Sequence, residues 1–262
     1  MSTPKASREW NSQAYHQVSN PQFEWGLRVL EGVQVRGDER VMDAGCGSGR
    51  ITEKLLDRLP QGHVVGVDLS HNMLQQAAKH LQPYAGRISF VHSDLTHLPF
   101  NAEFDGIFST AAFHWVKDHE ALFASLARSL KPGGWIVAQC GGGANLHDVH
   151  ERTKQLMFSS KYAQYFRDWQ SPWEFADDKI TANRMARAGF TDIQTSLEPS
   201  PVRFGSANEY KAFMEPVILR PFLNVLREEL KQQFVNELVD ESVKDPNFHL
   251  DYWRLNLRAR KP

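Results

Sequence analysis

The feature that most narrows what this chain can fold into is the segment Arg40-Val41-Met42-Asp43-Ala44-Gly45-Cys46-Gly47-Ser48-Gly49-Arg50. A short apolar run leads into three glycines at alternate positions. A helical pattern follows at once, with Ile51, Leu55, Leu56 and Leu59 on one side. Glycine takes positive φ without a Cβ penalty and lets the backbone come close to a ligand. A helix that opens out of such a turn points unpaired N–H groups at whatever sits there, which favours carboxylate or phosphate. The next apolar run, His63 to Val67, ends on Asp68. That is about 20 residues past the first glycine, where a ribose-binding carboxylate stands in doubly wound nucleotide folds.

The spacing also bears on which ligand. A dinucleotide fingerprint asks for glycine at its first, third and sixth positions. Counted from Gly45, the sixth position is Arg50. The pattern is instead Asp-x-Gly-x-Gly-x-Gly, with Asp43 ahead of the first glycine. A carboxylate there repels a pyrophosphate and attracts a ligand's ammonium group. A nicotinamide-linked oxidoreductase is therefore the least favoured class.

Strands alternate with helices from about 38 to 142, which implies a parallel, doubly wound sheet. Further strands are expected at Ile88 to His92, Phe104 to Ser109 and Trp135 to Cys140. Ser70 and Asp118 are the expected caps of the helices between them. Residues 145 to 178 carry scattered aromatics without alternation and read as helices and loops. The aromatic stretch 155 to 175 forms either the apolar wall of a pocket or the core of a cap. Residues 179 to 188 read as a helix and Phe190 to Leu197 as a strand. Leu223, Leu226, Leu230, Phe234 and Leu238 step like one amphipathic helix. Trp253, Leu255, Leu257 and Ala259 alternate with Arg254, Asn256, Arg258 and Arg260, which predicts a last strand with one buried face and arginines on a solvated one. The chain thus divides into N-terminal lid helices over 1–34, a cofactor-binding core over 35–142, a helical cap over 143–178, and the end of the sheet over 179–262 with a helical insertion at about 206–245.

Composition excludes several roles. The chain has 262 residues and a formal charge of −1, with 30 basic and 31 acidic side chains. No broad positive field serves nucleic acid or a membrane surface. No run of about 18 apolar residues exists to span a bilayer, and the first ten residues lack an apolar leader core. Two cysteines, Cys46 and Cys140, make no disulfide framework. The cytoplasm is the expected compartment. No metal site is expected: His147 and His150, with Asp148 and Glu151 nearby, read as solvated surface. No heptad pattern identifies an oligomer.

The runs VMDAGCGSGR, VVGVDLS, FVHSDLTHLPF, FDGIFSTAAFHWV and LKPGGWIVAQ together resemble the class I S-adenosylmethionine-dependent methyltransferases. The likeness is to the small-molecule branch that includes the trans-aconitate and juvenile hormone acid methyltransferases. It covers about 40 to 142 and is looser over 143 to 250. Such a resemblance implies an α/β, Rossmann-like, doubly wound and mostly parallel seven-stranded sheet with an antiparallel last strand and helical cap insertions. It implies S-adenosyl-L-methionine as cofactor. Asp43, Gly45, Cys46, Gly47 and Gly49 would surround its methionine end, and Asp68 its ribose. Leu69 and Met73 would flank the adenine, Asp94 and Leu95 its edge, and Ser109, Thr110 and Ala111 the sulfonium. His114 and Trp115 match a loop that faces the substrate in carboxyl-methylating relatives. Tyr15 and Gln22 near the N-terminus, with Tyr162 and Tyr165, are the further expected substrate contacts.

A sulfonium methyl is already activated, so the protein mainly positions the acceptor. A carboxylate needs no base, whereas a hydroxyl benefits from one. Trp115 can donate through its indole N–H. His114 can act as base or as orienting donor, or both residues can simply pack at the sheet edge. No Asn/Asp-Pro-Pro-aromatic run follows the fourth strand, which argues against methylation of adenine or of a glutamine amide. The leading expectation is O-methylation of a small carboxylate. The alternatives are N- or C-methylation of another metabolite, or a cofactor-binding sensor without turnover.

Overall fold

The computed structural model describes residues 20–242 and 248–262. Strand β1 (Arg40–Ala44), helix α2 (Arg50–Asp57), strand β2 (His63–Asp68), helix α3 (His71–His80), strand β3 (Ile88–His92) and strand β4 (Phe104–Thr110) follow helix α1 (Asn20–Glu31). Helix α4 (His119–Ser129) and the long strand β5 (Leu130–Gly141) complete the parallel half. Helix α5 (His147–Met157), helix α6 (Asp178–Arg187) and strand β6 (Thr191–Pro199) come next. They are followed by helices α7 (Ala207–Met214), α8 (Arg220–Leu223) and α9 (Glu228–Ser242), and finally strand β7 (Trp253–Arg260). A two-residue ribbon pairs Val202–Arg203 with His249–Leu250.

The seven main strands form one sheet in the order β3-β2-β1-β4-β5-β7-β6. β1 through β5 pair in parallel, and β7 runs antiparallel between β5 and β6. This is the expected α/β, doubly wound sheet. Period-two alternation sorts its side chains. Val41, Val64, Phe108 and Val137 pack against Leu30 of α1 and Leu55 and Leu56 of α2. Their neighbours Met42, Val65, Ile107 and Ile136 pack on the other face with Leu122, Phe123 and Leu126 of α4 and Met185 of α6. The caps act as expected: Ser70 Oγ accepts from Met73 N–H at 3.3 Å and Asp118 Oδ1 from Ala121 N–H at 2.9 Å. The order reverses at β1 and β4, so a crevice opens beyond their carboxyl ends.

Three expectations change. The run from Leu223 to Leu238 is two helices, not one, because the chain turns at 224–227 and restarts at Glu228. Acidic Glu228 and Glu229 suit the positive end of the new helix. Tyr162 and Tyr165 belong to the cap core. The Tyr162 ring meets Phe234 edge to face at 5.0 Å, and Trp173, Phe213 and Leu238 join the same cluster. Arg254 is not on a solvated face. The cap covers the first half of β7, so Arg254 is buried while Arg258 and Arg260 stay exposed.

Of the lid proposed over 1–34, α1 and the residues after it are described, and Tyr15 lies outside the described residues. The Arg58 guanidinium donates to the carbonyls of Leu30 and Val33, fixing the end of α1 to the end of α2.

The cap core predicts its own weak point. Phe234 is fully buried. Phe234→Ala should cost about 3–5 kcal/mol, read as a lower denaturant midpoint by circular dichroism. An unchanged midpoint would mean that this cluster does not support the fold.

Candidate active site

The crevice holds a cavity of about 770 Å³, within the usual range for small-molecule sites. One end is built by the glycine turn. Gly45 N–H and Cys46 N–H both donate to Val67 O, at 2.8 and 3.0 Å, and Gly47 N–H donates to Asp68 Oδ2 at 2.9 Å. The other oxygen of Asp68 accepts from Ser70 N–H at 2.9 Å. One carboxylate thus joins the turn, the end of β2 and the start of α3. Gly45 sits at φ +85°, and a Cβ there would lie 2.2 Å from Ala112 Cβ. Only glycine lets the turn after β1 touch the loop after β4.

Asp43 lies under the turn, 3% exposed, and accepts from Thr52 Oγ1 at 2.7 Å. Burial pushes its carboxyl up to about 7, Thr52 opposes this, and the charge of Asp68 adds to it. Burial raises Asp68 as well, against the pull of the Ser70 and Gly47 amides. Leu69, Met73 and Leu95 line an apolar recess beyond Asp68. Asp94 Oδ1 beside it accepts from Thr96 N–H and Oγ1, at 2.9 and 2.8 Å.

The other end gathers around Gly141, the last residue of β5. Gly141 N–H donates to His114 Nδ1 at 3.2 Å, and Gly141 is the register partner of Arg254. A Cβ on Gly141 would come within 2.9 Å of both Asn145 Nδ2 and Phe175 Cε1. His114 accepts at Nδ1, so its proton is on Nε2, as a donor. Burial, then the charge of Arg254, lowers its basicity to about 3. Arg254 is 4% exposed. It donates to Asn145 Oδ1 and, at 3.1 Å, to Trp253 O, and lies over the rings of Trp25 and Tyr252 at 4.5 and 4.9 Å.

The β4 loop is held from outside. Glu174 N–H donates to His114 O at 2.9 Å, and Lys117 Nζ to Trp173 O at 2.9 Å. Arg184 donates to Glu174 at 3.0 Å and to His119 Nδ1 at 3.2 Å, while His119 Nε2 donates to Phe113 O at 3.1 Å.

Most of the residues expected from the sequence meet here. Asp43, Gly45, Cys46, Gly47, Asp68, Leu69, Met73, Asp94, Leu95, Thr110, Ala111, His114, Trp115 and Gln22 all line the cavity. Gln22 Oε1 is buried and has no hydrogen-bond partner among the described residues. Gly49 instead starts α2, at φ +86°. Ser109 does not face the cavity, because its Oγ donates to Ala44 O at 2.6 Å and ties β4 to β1. Tyr162 and Tyr165 do not reach it. His150 is not solvated surface: its ring stacks on Trp173 and Phe175 at 5.0 and 5.6 Å, next to the cavity wall.

The family model described as a methyltransferase domain matches residues 41–134. The trans-aconitate 2-methyltransferase of Acidovorax ebreus is 33% identical over 92% of this chain and 93% of its own length. The chain belongs to the class I S-adenosylmethionine-dependent methyltransferases. It is similar also to malonyl-[acyl-carrier protein] O-methyltransferase 2 of Ilyobacter polytropus, 28% identical over 53% of each chain. The fold matches phosphoethanolamine N-methyltransferase 2 of Haemonchus contortus solved with S-adenosyl-L-methionine. That match has a TM-score of 0.61 at 21% identity and covers 96% of this chain and 56% of that one. This methyltransferase uses S-adenosylmethionine and acts on a small molecule. No helix among its described residues is long and apolar enough to cross a membrane.

Sequence reasoning did not single out Gly141, Asn145, Tyr252 and Arg254 as site residues, and it covered Trp173 and Phe175 only within an aromatic stretch that read as either pocket wall or cap core. A buried-strand reading of Tyr252 and Arg254 needs the cap above them, which no local pattern reveals.

Asp43 carries a pH signature. Its folded pKa lies above the unfolded value, so the native state holds the extra proton between about pH 4 and pH 7. The stability it contributes is full below that window and is lost as pH rises through about 7. The wild type should lose up to about 1.4 kcal/mol per pH unit on this account. Asp43→Asn, which still accepts from Thr52, should remove that slope in denaturant titrations. Parallel slopes for the two proteins would show that Asp43 ionises normally.

Proposed function

We propose that this methyltransferase esterifies a carboxylate. What carries the reading is the tautomer of His114. With Nδ1 engaged by Gly141 N–H and basicity held near 3, His114 offers a neutral Nε2–H donor and no base. Beside it stands the cation of Arg254. Donors and a positive charge suit an anionic acceptor. A phenol or an ammonium group would instead call for a proton acceptor at this place.

The residues at the opposite end fit the cofactor. Asp68 keeps lone pairs for the ribose hydroxyls beyond its two backbone bonds. The recess of Leu69, Met73 and Leu95 suits adenine. Gly47, with no heavy atom within 4 Å of a virtual Cβ, leaves room for the methionine end. Asp43 supplies a carboxylate toward the ammonium and sulfonium charges. Gln22 Oε1 provides an unused buried acceptor above them. The cofactor supplies a methyl group activated on a positive sulfur.

At the acceptor end His114 and Trp115 orient an oxygen in line with that methyl group, and Arg254 holds the charge of the acid. A carboxylate oxygen held by these residues would take the methyl group from the cofactor's sulfonium, with the S–CH₃ electrons left on sulfur. The products are a methyl ester and S-adenosylhomocysteine, and no proton is transferred. The aromatic strap at 173–175 excludes water, which keeps the charges of both partners strong.

Incubation with methyl-labelled S-adenosylmethionine and a mixed pool of small acids, phenols and amines tests this. The label should enter product in base-labile form, and base-stable label would overturn the reading. Variants at position 114 separate a donor from a base. His114→Ala should lower kcat/KM about 10- to 100-fold, the range for a hydrogen bond to a charged group. His114→Gln, whose amide still donates, should recover most of it. Equal loss in both variants would point to proton transfer.

A further inference from the structure

The walls of the acceptor end differ in kind from the floor. Among the described residues, the lysines and arginines lining the cavity are Arg50, Lys117 and Arg254. Arg50 opens α2 on the cofactor side and lies over the Phe23 ring at 4.3 Å. Lys117 is exposed and turned to the Trp173 carbonyl. Only Arg254 is buried, and it stands on the floor next to His114 and Gly141.

Among the described residues, the wall around Arg254 is mostly apolar, with Asn145 and Tyr252 at its foot. Trp115 meets Trp173 at 5.4 Å, and Trp173 and Phe175 stack nearly parallel, at 11°. Val217 and Ile218 come in from the π-helical turn Glu215–Leu219 between α7 and α8. A π-turn of this kind is uncommon and often marks a functional site. Here it brings two aliphatic side chains to the cavity. A second or third carboxylate on the acceptor would be desolvated against these apolar side chains, which is strongly unfavourable.

Resting on the ester-forming reading above, we infer that the acceptor is a monocarboxylic acid with an apolar body. Its carboxylate pairs with Arg254, and its body lies along Trp115, Trp173, Phe175, Val217 and Ile218. Arg254 is then the residue that selects for acids, and the strap with the π-turn selects for apolar ones. This separates the chain from what the name of its Acidovorax relative states, since trans-aconitate is a tricarboxylate.

The test compares substrates on the wild-type enzyme. S-adenosylhomocysteine formation is measured with arylalkanoic and medium-chain fatty acids, with trans-aconitate, and with phenols and amines of similar size. An apolar monocarboxylic acid should exceed trans-aconitate at least tenfold in kcat/KM. Arg254→Lys should raise KM for that acid at least tenfold while S-adenosylhomocysteine affinity by calorimetry stays within twofold. Trans-aconitate as the equal or better substrate would overturn the inference and leave ester formation standing. Turnover of phenols or amines alone would overturn both. Turnover of no acid, with S-adenosylhomocysteine bound normally, would overturn the inference.

Discussion

The Asp68 carboxylate is the joint on which the cofactor half of this molecule depends. It receives Gly47 N–H on one oxygen and Ser70 N–H on the other. The same bonds therefore set the shape of the glycine turn and the place where α3 begins. They also explain how a carboxylate remains in so buried a place: backbone dipoles oppose the burial that raises its pKa. Gly45 and Cys46 close the turn from below by sharing Val67 O. A turn held by four N–H donors around one strand end is preorganised, so ligand binding need not order it.

Charge is divided along the cavity. The acids Asp43 and Asp68 lie at the end that receives a cationic cofactor, and the buried cation Arg254 at the end proposed for an anionic acceptor. Each reactant is then attracted to its own end and repelled from the other. In a cavity walled by aromatic rings such attraction is stronger than in water. Ester formation, as proposed, would join two partners of opposite charge and remove the sulfonium and acceptor carboxylate charges from the products. That field would then hold the products less strongly than the reactants.

How much of this was legible in the sequence follows from how local each part is. The strand, the glycine turn, the helix and Asp68 are set by neighbours in the chain, so spacing alone located the crevice and its glycine-turn end. The acceptor end draws on His114, Gly141, Asn145, Phe175, Ile218 and Arg254, which come from separate segments. Among these, His114 carried a signal through its loop, and Phe175 only as part of an aromatic stretch with two readings. Arg254 was assigned to solvent because alternation counts one covered face, and β7 is covered on both for half its length. Tyr162 and Tyr165 have the polar tips of a binding site, yet the neighbours of Tyr162 and Tyr165 are other cap side chains. Ser109 stands one residue before the cavity wall, and the period of two turns its hydroxyl into the sheet.

The cap acts on the reacting groups through the backbone of the β4 loop. His114 is gripped twice, by Gly141 N–H at its ring and by Glu174 N–H at its carbonyl. Glu174 is fixed by Arg184 of α6, which also reaches His119, and His119 holds Phe113 O. This closed circuit runs through the strap, a sheet-covering helix and the start of α4. Its members are imidazole, guanidinium and carboxylate groups in a partly buried, hydrogen-bonded network, which stiffens the loop. The donor at His114 Nε2 thus keeps its direction without touching any group on the far side of the cavity. A chain can therefore vary the strap side chains that line the cavity, such as Trp173 and Phe175, while the backbone bonds of the same strap hold the β4 loop in place.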